Sequence, residues 1–276
     1  MALATLPGYP RIGRHRELKR ALEGYWAGRV GKDELLATAA ALRRAHREVQ
    51  RAAGIDLPPV NDFSLYDQVL DTIALVGAVP ERYGWSGEQV DLDTYFAMAR
   101  GTASVPAMEM TKWFDTNYHY IVPELGPGTT FRLASTKPFD ELAEAQTDEG
   151  QAKVVLLGPL SFLLLGKTHE PGFDRLALLD RLLPVYVEVV GRLAAQGAAW
   201  VQLDEPILVT NVDGQALDAL RTAYEAIAAA KGGAKLLVQT YFDHVGDAYG
   251  ALVGLPVDGI GLDLVRGPES VELLAR

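Results

Sequence analysis

Two periodicities alternate along the second half of the chain. Short runs of apolar and β-branched residues at 152–159 (AKVVLLGP), 199–206 (AWVQLDEP), 234–243 (AKLLVQTYFD) and 257–264 (VDGIGLDL) read as buried strands. Between them, residues 174–196, 213–231 and 243–253 repeat apolar positions at helical spacing. Strand, helix and strand in that order predict parallel pairing through right-handed crossovers. Pro184, inside the first of these helices, predicts a kink or a restart.

The first half follows the same plan with longer insertions. Residues 2–7 make a first strand, and 16–27 and 32–53 make two helices, the second with Asp33 and Glu34 in its first turn. Residues 57–63 (LPPVNDF) make a second strand ahead of a helix at 66–76, and 106–117 (PAMEMTKWFDTN) make a third, followed by a long connection. Polar groups gather at the C-terminal ends of these seven strands: Asn61, Asp62, Glu109, Lys112, Asp204, Glu205, Tyr241, Asp243 and Asp263. In a (βα)8 barrel that rim binds ligands. The expected fold class is α/β, a TIM (βα)8-type barrel truncated before the eighth strand. Residues 1–276 read as one such barrel domain, incomplete at its C-terminal end, of a longer protein.

Composition narrows the class. Of the 276 residues, 49% are hydrophobic and 22% charged, the profile of a soluble globular protein. The longest nearly apolar run, 154–166, is too short to span a bilayer and is broken by Gly158 and Pro159. No basic flank followed by an apolar stretch opens the chain, so no secretory signal is expected, and with no cysteine there is neither a disulfide framework nor a thiolate metal site. Cytoplasm is the expected compartment. The net charge of −10 is unevenly spread: residues 1–51 hold eleven Lys or Arg against five acids, leaving 15 and 31 for the rest. A local basic patch on an acidic body points to a specific anionic ligand, whereas a nucleic-acid binder would be basic across a whole face. A solvated helical face is the alternative that charge alone leaves open.

Several motifs are incomplete. Gly166–Lys167–Thr168 lacks the P-loop glycine, because Ser161 stands in its place, and Gly259 and Gly261 begin a dinucleotide fingerprint whose third glycine position is Leu264. The histidines at 15, 46, 119, 169 and 244 show no metal-ligand spacing, so no metal site is expected in this chain. In QLDEP (202–206), Asp204 and Glu205 alternate faces, so one carboxylate points into the barrel mouth, as an acid or base or merely as a structural partner. A hydrolase pairing Glu109 with Asp204 or Glu205 is one reading of these acids. In MEMTKWFDTNYHYIVPE (108–124), Lys112 is a surface residue or an anion hook. Arg16 and Lys19 share a helix face extended by Arg20, and the Gly8, Pro10 and Gly13 turn brings that helix start to the top of the first strand. Cations so placed can grip carboxylates or phosphates.

Taken together, GYPRIG, RELK, EGYW, NDFSLYD, MTKWFDTNYHYIVPE, QLDEP and GLDLVRG resemble the N-terminal half of the cobalamin-independent methionine synthase family, over essentially the whole chain. The resemblance implies two face-to-face (βα)8 barrels that transfer a methyl group from 5-methyltetrahydropteroyltri-L-glutamate to homocysteine to form methionine. It places the zinc in the C-terminal barrel, on His, Cys, Glu and Cys ligands, and leaves this barrel metal-free and without catalytic residues. The family's positions for the folate polyglutamate tail fall here on Arg16, Glu17, Leu18, Lys19 and Lys112. The implied partners are that folate and the C-terminal barrel of the same protein, with no nucleic acid and no membrane. Alone, the chain is expected to be catalytically inert. The second reading is a free-standing barrel that binds or scaffolds without catalysis.

Overall fold

The computed structural model describes residues 2–148 and 150–274. Helices α1 (Glu17–Trp26) and α2 (Lys32–Ala52) pack against each other ahead of strand β1 (Pro59–Val60). Next come α3 (Gln68–Val76), α4 (Leu92–Arg100), strands β2 (Met110–Lys112) and β3 (His119–Ile121), and α5 (Lys137–Gln146). The remainder alternates: β4 (Lys153–Leu157), α6 (Pro159–Leu165), α7 (Leu179–Ala195), β5 (Trp200–Asp204), α8 (Gly214–Ala230), β6 (Lys235–Gln239), α9 (Tyr249–Val253), β7 (Gly259–Gly261) and α10 (Ser270–Leu273).

Strands β1, β4, β5, β6 and β7 form one parallel sheet in that order, and a parallel bridge from Thr5 to Leu57 brings the N-terminal segment alongside it. Every residue of β4 is buried, as a strand covered on both faces requires. Helix α7 turns Leu182, Tyr186, Val189 and Leu193 inward at helical spacing, and packs on the equivalent face of α8, Leu220, Ala223, Tyr224 and Ile227. The α/β, parallel-sheet expectation therefore holds. No described helix is long and apolar enough to cross a membrane.

Two expectations change. The third strand candidate does not join the parallel sheet: Met110–Lys112 pairs antiparallel with His119–Ile121, while Pro59 pairs directly with Lys153 and leaves no gap to fill. The physical reason lies in its exposure, since Glu109, Met110 and Lys112 face solvent, whereas an interior parallel strand is covered on both faces. Six of the seven strand candidates thus run parallel, counting the one at Thr5, and a further isolated parallel bridge joins Glu124 to Lys167 outside those candidates. The break in the 174–196 helix falls at Leu178, where a 3-10 turn (Arg175–Leu178) precedes α7, and α7 runs on through Pro184. The carbonyl that loses its partner there belongs to Asp180, which is exposed and open to water.

Candidate functional site

The segment from Leu6 to Arg16 has almost no regular structure, yet polar side-chain bonds hold it at Leu6, Pro7, Tyr9 and Arg11. Lys153 Nζ donates to the Leu6 carbonyl at 3.0 Å and Gln202 Nε2 to the Pro7 carbonyl at 3.2 Å. The Tyr9 amide donates to Asp62 Oδ2 at 2.8 Å, and Arg11 Nη1 to the Ser64 carbonyl at 2.9 Å. Lys153, Gln202 and Asp62 are supplied by the strands or their ends, so the sheet itself fixes where α1 begins. Burial pushes the Asp62 carboxyl up to about 6, and the Tyr9 amide opposes that rise. Neither Lys153 nor Gln202 stood out as functional in the sequence; the signal was a lysine opening an otherwise apolar strand and a glutamine on the same face as Asp204.

Helix α1 starts on Arg16, which sits in the left-handed region at φ 63 without a side-chain cap. Glu17 reaches back instead and accepts from the His15 amide at 2.9 Å; the amides of Glu17 and His15 hold its carboxyl below the ordinary value. Leu18 is fully buried, and its amide donates to the Ile12 carbonyl at 3.1 Å. Of the five residues expected to bind the tail, Leu18 is therefore an anchor of the helix, while Arg16, Lys19 and Lys112 are exposed. Lys19 lies 3.6 Å from Glu23, one turn on. Arg16 and Lys112 make no ion pair with another described residue.

Much of the basic surplus in residues 1–51 is neutralised inside the fold. Arg43 reaches Glu144 at 2.6 Å, the buried Arg47 reaches Asp148 at 2.6 Å and Glu144 at 3.3 Å, and Arg51 reaches Asp148 at 3.0 Å. These contacts zip α2 to α5 and the turn after it. Burial works against ionisation of Asp148, but the guanidinium groups of Arg47 and Arg51 hold it below the ordinary value. The cations of residues 1–51 outside this zipper include those of the loop and of α1, beside Arg29, Lys32 and the exposed Arg44.

Lys112 comes from the hairpin β2–β3, which lies over the mouth of the sheet. Its base is tied to α3: Asp67 caps that helix through the Val69 and Leu70 amides at 2.8 and 2.9 Å and also accepts from the Ile121 amide at 3.0 Å. Burial pushes Asp67 up to about 7 against those three donors. On one side Tyr118 sits beside Arg11 of the N-terminal loop, and burial pushes its phenol up to about 12. On the other, Phe114 packs on Phe242 with ring centroids 5.3 Å apart, and Asp115 pairs with Arg266. The hairpin and the α1 loop thus meet at Arg11 and Tyr118, with no direct bond between Lys112 and α1 among the described residues. Among the described residues, four non-glycine residues have positive φ, namely Arg16, Asn61, Phe114 and Phe242, and all lie on this rim. Sparsely populated conformations of this kind concentrate where function over-determines the backbone.

The carboxylates of QLDEP separate as their alternation requires. Asp204 faces inward, accepting from Gln202 Nε2 at 2.6 Å and the Tyr241 hydroxyl at 3.2 Å; burial pushes it up to about 7. Glu205 faces the helices, accepting from the Leu160 and Ser161 amides at 3.2 and 2.7 Å and from the Tyr224 hydroxyl at 3.1 Å. Glu109 is exposed and paired with Lys167. The hydrolase reading fails on this geometry, since Glu205 is occupied in starting α6 and no two of the three carboxyls face a common site. No group of three metal-binding side chains lies together among the described residues, and the chain has no cysteine.

A family model described as "Cobalamin-independent synthase, N-terminal domain" matches residues 3–276. A 5-methyltetrahydropteroyltriglutamate--homocysteine methyltransferase of Salinibacter ruber is 54% identical over 281 residues, covering 99% of this chain and 36% of that relative. One of Syntrophotalea carbinolica is 53% identical over 268 residues, covering 96% and 35%. The chain therefore spans about a third of the length of the curated relatives it matches. In three dimensions it is similar to a putative vitamin-B12 independent methionine synthase from Listeria monocytogenes, with a TM-score of 0.63 and 14% identity over 94% of this chain and 73% of that one. It is also similar to a B12-independent methionine synthase from Shewanella sp. W3-18-1 in complex with selenomethionine, at 0.62 and 16% over 90% and 70%. At these identities the solved structures speak for the fold alone.

Proposed function

The chain belongs to the cobalamin-independent synthase family, as its N-terminal domain, and on that premise we propose that it serves a methyltransferase by holding the glutamate tail of its folate substrate. The whole protein, in this reading, moves a methyl group from 5-methyltetrahydropteroyltriglutamate to homocysteine in the cytoplasm, using a metal whose ligands lie outside this chain. Arg16, Glu17 and Lys19 on the first turn of α1, on the backbone that Leu18 anchors, and Lys112 on the hairpin form the tail site. The observation that carries the proposal is how the fold sorts its charge: α2 spends Arg43, Arg47 and Arg51 on internal acids, while Arg16 and Lys112 on the rim stay exposed and unpaired among the described residues. A triglutamate is a string of carboxylates, and charge-assisted hydrogen bonds to such cations are stronger than neutral ones.

The tail lies away from the transferred methyl group, so these contacts hold ground state and transition state alike. Uniform binding of that kind lowers KM and leaves kcat unchanged. The chain alone then binds without turning over.

Calorimetry on tri- and monoglutamyl 5-methyltetrahydrofolate tests this directly. The triglutamyl form should bind more tightly. Lys19→Ala and Lys112→Ala should each reduce that preference about three- to ten-fold, taking about 1 kcal/mol per exposed charge contact. Raising the salt should do the same. Equal affinity for the two folates, or a preference that neither substitution alters, refutes the tail site, and steady methyl transfer by the chain alone refutes its inertness.

A further inference from the structure

The GLDLVRG stretch builds a fixed support for the hairpin. Asp263 accepts three backbone amides, those of Phe242 at 3.0 Å and of Val265 and Arg266 at 2.9 Å each. Burial opposes its ionisation, but the three donors hold its carboxyl below the ordinary value. The loop after β7 is thereby bound to the end of β6, where Phe242 is kept in the left-handed region at φ 87. Gly267 closes the same contact: a Cβ there would lie 2.3 Å from the His244 nitrogen, so only glycine lets the two backbones approach. Arg266 is the side chain this arrangement presents. Both of its terminal nitrogens reach the Asp115 carboxylate, Nη1 at 3.0 Å, and its guanidinium lies 5.6 Å from the Phe242 centroid. Phe114, itself left-handed at φ 52, packs on the same ring.

We propose that Asp115 and Arg266 are positioning residues for the polyglutamate site: their ion pair latches the tip of the hairpin to the loop after β7 and so fixes Lys112, three residues before Asp115. The proposal rests on the tail-binding reading above. Both side chains are largely exposed, at 61% and 45%, so the pair is weak by itself. It acts because its two ends are already immobilised, Arg266 by Asp263 and Gly267, and Asp115 by its neighbours Phe114 and the buried Trp113. A latch closed by one exposed pair opens more easily than a packed one, which suits a ligand that arrives as a flexible chain of carboxylates.

Charge reversal tests it. The Trp113 amide donates to the Tyr118 carbonyl at 2.7 Å inside the hairpin and reports its closure without ligand. Hydrogen exchange at that amide should quicken about three-fold in Asp115→Arg and in Arg266→Asp, and return towards the original rate when both are combined. The preference for triglutamyl over monoglutamyl 5-methyltetrahydrofolate should fall by a similar factor in each single variant and recover in the pair. Asp115→Asn, which keeps the shape and removes the charge, should repeat the single-variant result if either reversal folds poorly. Exchange that ignores the substitutions, or a combined variant that recovers nothing, overturns the latch. Exchange that follows the latch while the triglutamyl preference stays constant overturns the positioning of Lys112 and leaves the tail site standing. An unsubstituted chain without any triglutamyl preference fails the tail reading itself, and the proposal with it.

Discussion

Gly158→Ala sets two physical effects against each other with opposite signs. Gly158 has φ −72 and ψ 153, a conformation open to any L residue, so on backbone entropy alone alanine should stabilise the fold by about 0.4–1 kcal/mol. The neighbouring side chain says otherwise. A Cβ at Gly158 would lie 2.1 Å from Glu205 Oε1 and 2.2 Å from its Cδ, and the carboxylate would have to retreat by more than about 1 Å to reach ordinary van der Waals separation. Glu205 is 0% exposed, so bonds lost to the Leu160 and Ser161 amides and the Tyr224 hydroxyl are not replaced by water. Overpacking costs about 1–3 kcal/mol and stranded buried polar groups about 1–3 more. The net expectation is a loss of about 3 kcal/mol, a large share of the roughly 5–15 kcal/mol that holds an ordinary domain together. Urea unfolding followed by circular dichroism measures it, and a cycle with Glu205→Ala isolates the cause: once the glutamate is gone, Gly158→Ala should be neutral or stabilising. A Gly158→Ala variant as stable as the parent, or one that costs as much in the Glu205→Ala background, refutes the steric argument.

Arg47→Ala removes a guanidinium that is 2% exposed and leaves Glu144 to Arg43 alone and Asp148 to Arg51 alone; it should cost about 3 kcal/mol. Glu48→Ala, an exposed neighbour on the same helix, should change stability by less than about 0.5 kcal/mol in the same urea titration, and equal losses would deny the zipper its role. Stability should also fall as pH rises from about 5 to about 7.5. Burial lifts Asp62 to about 6 and Asp67, Asp204 and Glu205 to about 7, so between their unfolded and folded values the native state binds more protons than the unfolded one. Lys153, lowered to about 8 by burial, gives the opposite slope only above that pH. A urea midpoint that climbs steadily from pH 5.5 to 7.5, or one whose slope is unchanged by Asp204→Asn, contradicts the assignment.

The parallel strands were legible because a strand covered on both faces is apolar along most of its length, and the run at 154–157 has that form. The alternation in QLDEP announced that Asp204 and Glu205 would part, although not which would meet a helix start. The hairpin was misplaced because length and β-propensity do not say which neighbour a strand pairs with; its exposed Glu109, Met110 and Lys112 carried the correction. Helix α3 begins one residue after Asp67, a capping signal visible in the sequence, but the second duty of Asp67 on Ile121 is 54 residues distant and leaves no local trace. The same holds for charge. Counting placed the basic surplus correctly, yet Arg43, Arg47 and Arg51 find their acids 97 to 101 residues away, and only the fold could divide structural cations from exposed ones.

Consider finally the bonds that hold Leu6, Pro7, Tyr9 and Arg11. Their partners stand 147, 195, 53 and 53 residues further along the chain. Little that fixes this segment to the sheet is encoded within it, so a synthetic peptide copying Gly8 to Trp26 would keep only local bonds, such as that of Glu17 to the His15 amide, and lose its place on the rim. Closing loops of that span is the slow, entropically opposed step of assembly. The segment thus belongs to a surface that cannot take its final form until Gln202 has been added and the sheet beneath it laid down.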